Sequence, residues 1–247
     1  MKLHFCGINH YDPLGRHRLK DWMQGLLDKE ATAPAFVAVE WDEMALSEVI
    51  GQRGEVPRLI RDLSTTGSLL VNATPENIIA IAKSLGYEGD THHEVFPQVE
   101  FLWLDQALGR RERQLDGTWK TNPIASFTAD YAKQRIVKLQ RYIDTEGATD
   151  KVLERISAGV WRDSDKSEAD DPDIAFFSRI QRSNPDPEPI NRDAIWSERI
   201  IQRVAEGEGD WAIIVVGANH IADCPGTLLN RLEKEGFDCE PHVLRPS

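Results

Sequence analysis

Two short segments, one near each end of the chain, carry the residue types best suited to chemistry. The first reads Cys6-Gly7-Ile8-Asn9-His10 and runs on through Asp12, Pro13 and Gly15. The second reads Val216-Gly217-Ala218-Asn219-His220 and runs on through Asp223, Pro225 and Gly226. Each is a GxNH motif that follows an apolar run and precedes an amphipathic stretch. At this composition GxNH arises on the order of 0.02 times by chance, so two copies in the same context form a pattern. A glycine at a strand exit lets the backbone turn sharply or approach a ligand closely, and it aims the following imidazole over the carboxyl end of a sheet. If the two strands are neighbours, His10 and His220 converge on one point.

Paired imidazoles bind a metal ion or act as an acid/base pair, and a metal site also wants a carboxylate. Glu40 is the first candidate. It ends the apolar run Ala35-Phe-Val-Ala-Val, which in a parallel sheet brings it to the same edge as His10. Asp42 and Glu43 come next, and Asp105, closing the run Val99-Glu-Phe-Leu-Trp-Leu104, is a further carboxylate at that edge. Arg192 stands at a helix start after the proline run of residues 184–189, where the helix dipole opposes a cation. That placement calls for an anionic partner, either a site carboxylate or a substrate oxygen. Cys224, four residues after His220, reads as a small buried residue before Pro225 rather than a thiolate ligand. His92-His93-Glu94 reads as an exposed loop, because neighbours on an extended chain point to opposite faces. Residues 163–174 resemble a calcium loop only superficially: Glu168 takes the place of the turn glycine and Ile174 that of the closing glutamate.

The elements that must position these residues follow from periodicity. Residues 3–8 read as a buried strand and 16–29 as a helix through Leu19, Trp22, Met23, Leu26 and Leu27. Residues 35–40, 99–104, 211–216 and 240–244 read as further strands. A helical region from Met44 to Leu63 is broken near Gly54 and Pro57, and Thr74-Pro75-Glu76 opens another helix. Apolar spacing through Ala132, Ile136, Leu139 and Ile143 predicts a helix, as does that around Val152 and Ile156 and around Ile174 and Phe177. Residues 191–205 and 226–236 read as helices. Strands alternating with helices at both ends predict an α/β fold. Its centre is a mixed, largely parallel sheet flanked by helices, with residues 1–121 and 190–247 as the core and 122–189 as an inserted helical cap.

Composition narrows the function classes. The 247 residues carry 29 Lys+Arg against 41 Asp+Glu, a net charge of −12, with 40% hydrophobic residues. Nucleic-acid binding and anionic membrane surfaces are disfavoured, since both draw affinity from cationic side chains. No run reaches the roughly 20 apolar residues of a membrane span. Three cysteines without a CxxC pair suit a reducing compartment, so a cytoplasmic location is expected. Six of the acidic residues fall between Asp163 and Asp173, in a stretch that reads as surface loop.

Taken as a set, the two GxxH motifs after strands, the strand ending in Glu40 and the Arg192-Asp193-x-x-Trp196 helix resemble the TraB/GumN and TIKI superfamily. Erythromycin esterase and the ChaN haem-binding proteins look like more distant relatives. Carried over residue by residue, the resemblance points to Gly7, His10, Glu40, Arg192, Gly217 and His220. Asp105 resembles the acidic residue after the family's third strand. The family commonly has Arg-Asn where this chain has Arg192-Asp193, and its second motif is followed closely by glycine, whereas here Gly226 comes later.

The resemblance implies a metal-dependent hydrolase of amide or ester bonds, acting on a small-molecule or peptide substrate. A divalent ion of the Mn, Co or Zn class would be held by His10, His220 and Glu40. Glu40 would serve as ligand or general base, Arg192 would stabilise the oxyanion, and Gly7, Asn9, Gly217, Asn219 and Asp105 would contact substrate. Two alternatives keep the same residues. One is a metal-free, esterase-like hydrolase with a histidine as general base; the other is a non-catalytic protein holding haem or a peptide in the same cleft.

Overall fold

The computed structural model describes residues 1–8, 15–40, 55–65, 67–84, 88–105, 110–113, 119–122, 129–157 and 192–244. Five strands form one sheet: β1 (Lys2–Ile8), β2 (Val37–Val39), β3 (Phe101–Trp103), β6 (Trp211–Gly217) and β7 (Asp238–Val243), in the order β3-β2-β6-β1-β7. Among the described residues every pairing in it is parallel, as the α/β fold with a largely parallel sheet requires. Parallel strands covered on both faces lose the alternation of apolar and polar residues. β6, Trp-Ala-Ile-Ile-Val-Val-Gly, is buried at every position.

The two faces bury against different helices. Leu3, Phe5, Ala38, Ala212, Ile214 and Val216 pack with α8 (Arg192–Glu206) and α9 (Leu228–Lys234). Cys6, Ile8, Val37, Val39, Ile213 and Val215 pack with Leu19, Met23 and Leu26 of α1 (Gly15–Lys29). α9 starts on Thr227, whose hydroxyl accepts the Asn230 N–H at 3.3 Å. It stops at Gly236, whose φ of +87° lets the Phe237 N–H turn back onto the Leu232 carbonyl. No described helix is long and apolar enough to cross a membrane.

A second apolar core lies away from the sheet. It joins α2 (Val56–Ser64), α3 (Leu69–Asn72) and α4 (Pro75–Ser84) to α6 (Ala129–Glu146) and α7 (Asp150–Ser157), through Ile60, Leu69, Ile81, Ile136, Leu139 and Leu153. The helical layer thus draws on both sides of residue 122. Pro57 sits in the first turn of α2, where its missing N–H costs nothing, so it begins a helix here. The Thr74 hydroxyl accepts the Asn77 N–H at the start of α4, as the Thr-Pro-Glu signal predicts.

Two stretches differ from the sequence reading. Residues 88–95 form α5, not an extended loop: His92 is fully buried and its ring stacks on that of His93, with centroids 4.8 Å apart. A helical turn brings neighbouring side chains within about 100° of each other, whereas an extended chain sends them to opposite faces. An antiparallel hairpin, β4 (Arg110–Arg113) and β5 (Trp119–Asn122), also forms, from a segment Arg-Arg-Glu-Arg that carries no apolar pattern to announce a strand. The acidic stretch of residues 162–173, the helix expected around Ile174 and Phe177, and the proline run 184–189 lie outside the described residues.

Candidate active site

All five strands of the parallel sheet exit at one edge. β1 and β6 are neighbours in register, Ile8 opposite Gly217, and Val39 of β2 lies opposite Val215. The condition for convergence of the two GxNH motifs is met by the strands that carry them. His10 and Asn9, like Asp42 and Glu43, lie outside the described residues.

Gly7 serves the packing of this edge. A Cβ there would stand 2.5 Å from Ile221 Cδ1 and 3.0 Å from the Ala218 Cα. Its missing side chain lets the single 3-10 turn Ala218–Ile221 settle on β1, and that turn carries His220. Asn219, in the same turn, is exposed.

Glu40 is the hub. The backbone holds it first, through its N–H to the Val215 carbonyl at 3.2 Å. Its Oε2 accepts the Gly217 N–H at 2.7 Å, and Oε1 accepts from Arg192 Nη1 at 3.0 Å and lies 3.7 Å from His220 Nε2. Arg192 also reaches Asp105 Oδ2 at 3.5 Å. The anionic partner demanded by its place at the start of α8 is therefore a pair of site carboxylates. Glu40, Asp105 and Arg192 keep between 10% and 19% of their side-chain surface exposed, so their charges interact with weak solvent screening.

Two further residues join the site through the helix spacing of α8. Asp193 Oδ1 lies 2.8 Å from His220 Nδ1 and accepts the Leu228 N–H at 3.1 Å. Trp196, fully buried, donates its indole N–H to Asp105 Oδ1 at 3.1 Å. Its ring lies 4.6 Å from the His220 ring and 4.9 Å from the Arg192 guanidinium carbon. The sequence reading names both only within the Arg192-Asp193-x-x-Trp196 pattern and gives neither a role at the site. The signal available was their offset of one and four residues from Arg192, which puts all three on neighbouring positions of one helix.

Burial opposes a charge on His220, but the Glu40 and Asp193 carboxylates outweigh it and raise its pKa to about 9. The imidazole is thus charged at neutral pH, and the carboxylates around it are tied down. Cys224 is half-buried near Asp193, and burial, with the Asp193 and Asp223 charges, raises its pKa away from a thiolate.

Of the three ligands expected for a divalent cation, Glu40 and His220 are described and His10 lies outside the described residues. A metal ligand set needs a neutral imidazole and open carboxylate oxygens; among the described residues a guanidinium and an N–H occupy the two oxygens of Glu40, and Asp193 faces Nδ1 of His220. Among the described residues no group of three or more His, Cys, Asp or Glu is arranged around a common point for a metal. What the arrangement can do is exchange a proton at His220 Nε2 and present positive charge from Arg192. In comparisons with known proteins, no family model, no curated protein and no solved structure matches this chain.

Proposed function

We propose that this edge of the sheet is the active site of a hydrolase that cleaves ester or amide bonds by general acid–base chemistry. The observation that carries the reading is His220, set between two carboxylates with Asp193 on Nδ1 and Glu40 beside Nε2. In its neutral form His220 takes a proton from water at Nε2 while the water oxygen attacks the carbonyl carbon. Asp193 stabilises the imidazolium that forms. Arg192, steadied by Glu40 and Asp105, offsets the charge on the carbonyl oxygen. Collapse of the tetrahedral intermediate breaks the bond to the leaving oxygen or nitrogen, which receives the proton back from Nε2.

The test is turnover of a panel of p-nitrophenyl esters and peptide anilides by protein stripped of metal with a chelator. Retained activity is expected, with kcat/KM rising toward about pH 9 as His220 loses its proton. His220→Gln should cost roughly a hundredfold to ten-thousandfold. Arg192→Gln should cost about a hundredfold or more in kcat, as loss of an oxyanion donor does. Activity lost to the chelator and restored by Mn, Co or Zn would replace this mechanism with the metal-dependent one. A wild-type protein that turns over no member of the panel, yet binds haem or a peptide through His220, would make it a binding protein.

A further inference from the structure

Arg199 supports the site from the helix that carries Arg192, Asp193 and Trp196. It lies on α8 in the series Arg192, Trp196, Arg199 and Arg203, whose spacing of three and four residues follows one helical face. That face tracks β3 along its length. Arg203 holds Glu100 at the strand entrance at 2.8 Å, and Arg199 Nη1 donates to the Trp103 and Leu104 carbonyls at its exit at 3.2 and 2.8 Å. Trp196 and Arg192 take Asp105, the next residue.

The exit of β3 needs such a partner. The strand has three residues and stands at the end of the sheet order, paired on one side with β2. The Leu104 N–H still reaches the Val39 carbonyl at 2.9 Å, but the Trp103 and Leu104 carbonyls turn to Arg199. Guanidinium hydrogen bonds to carbonyls are charge-assisted, and a planar fork loses less side-chain freedom in making them than a flexible ammonium does.

We infer that Arg199 is a positioning residue for Asp105: it pins the exit of β3, so that the carboxylate stays between the Trp196 indole and the Arg192 guanidinium. This rests on the hydrolase reading for its relevance to catalysis, but not for its test. Displacing a supporting group by about 1 Å can cost a hundredfold in rate, so Arg199→Met should lower kcat on the ester panel by about tenfold to a hundredfold with KM little changed.

The indole N–H signal of Trp196 in a proton–nitrogen NMR spectrum of the full chain, free of substrate, reads the position of Asp105 directly. The chain has seven tryptophans, so the signal is assigned by its loss in Trp196→Phe. Asp105→Asn supplies the shift expected when the carboxylate is gone. Arg199→Met should move the signal in the same direction, and Arg199→Lys, which keeps a cationic donor, should bring it part of the way back. If Arg199→Met does not fold, Arg199→Gln is read in its place, with a smaller shift in the same direction. An indole signal that stays at the wild-type position in folded Arg199→Met or Arg199→Gln overturns the inference. Failure to turn over any ester or anilide would leave the indole result standing, and the converse also holds.

Discussion

Oδ1 of Asp193 accepts two hydrogen bonds, one from the Nδ1 side of His220 at 2.8 Å and one from the Leu228 N–H at 3.1 Å. One oxygen therefore orients the imidazole and anchors the start of α9. The nine residues between Gly217 and Thr227 are tied at both ends to carboxylates, Glu40 before and Asp193 after, with His220 touching both. An asparagine at this position would keep an acceptor for the Leu228 N–H. It would lose one of the two charges, Glu40 being the other, that hold His220 protonated.

That difference sets a pH dependence. The folded pKa of His220 is raised from the ordinary 6.5 to about 9, so the folded state holds a proton that the unfolded chain releases between those values. The stabilisation is complete below 6.5 and is lost as pH rises through about 9. Its full size is on the order of 3 kcal/mol. In Asp193→Asn the loss of stability over this window should shrink, as measured by urea unfolding at several pH values. An equally steep loss in the variant would show that Asp193 does not hold the proton on His220.

His4 should act in the opposite sense. It is buried on β1, with Nε2 3.0 Å from Glu30 and Nδ1 3.4 Å from Glu240. Burial lowers its pKa despite both carboxylates. A depressed folded pKa gives stability that is present above 6.5 and is lost as pH falls through the folded value. His4→Gln should therefore lose less stability than wild type on acidification below 6.5, read as a flatter melting temperature against pH. A parallel decline in both proteins would rule out His4 as a source of acid sensitivity.

Gly7→Ala tests the seat of the His220 turn. The new methyl would meet Ile221, which can rotate, and the Ala218 Cα at 3.0 Å, which moves only with the backbone. Overpacking of this kind costs about 1–3 kcal/mol, measurable by chemical denaturation. A stability equal to wild type would mean that the turn yields without strain.

Much of the fold is legible in residue order, because burial leaves a local trace. The run from Trp211 to Val216 has no polar residue, as a central parallel strand requires, and it forms β6 with Gly217 added. Leu19, Met23 and Leu26 mark the buried face of α1. Thr74 and Pro75 mark a helix start. The antiparallel pair β4 and β5 left no such trace, since neither Arg-Arg-Glu-Arg nor Trp-Lys-Thr-Asn carries an apolar alternation. His92 misled for a related reason: its burial comes from contact with Phe101, far enough along the chain that no local pattern reports it.

For the site, the sequence by itself determined which strand ends carry reactive side chains: the duplicated GxNH, Glu40 after an apolar run, Asp105, and an arginine placed where a helix dipole disfavours it. These are local facts of residue type and spacing. Only the tertiary structure decided their pairing. The strand order brings β6 between β1 and β2, so that Gly217 offers its N–H to Glu40 and His220 comes to lie beside the same carboxylate. The docking of α8 then gives Arg192 to Glu40 and Asp105, Trp196 to Asp105, and Asp193 to His220. The charge state of His220 depends on carboxylates brought from residues 40 and 193. Electrostatic interaction falls with distance in space and not with separation along the chain, so residue order alone does not reveal it.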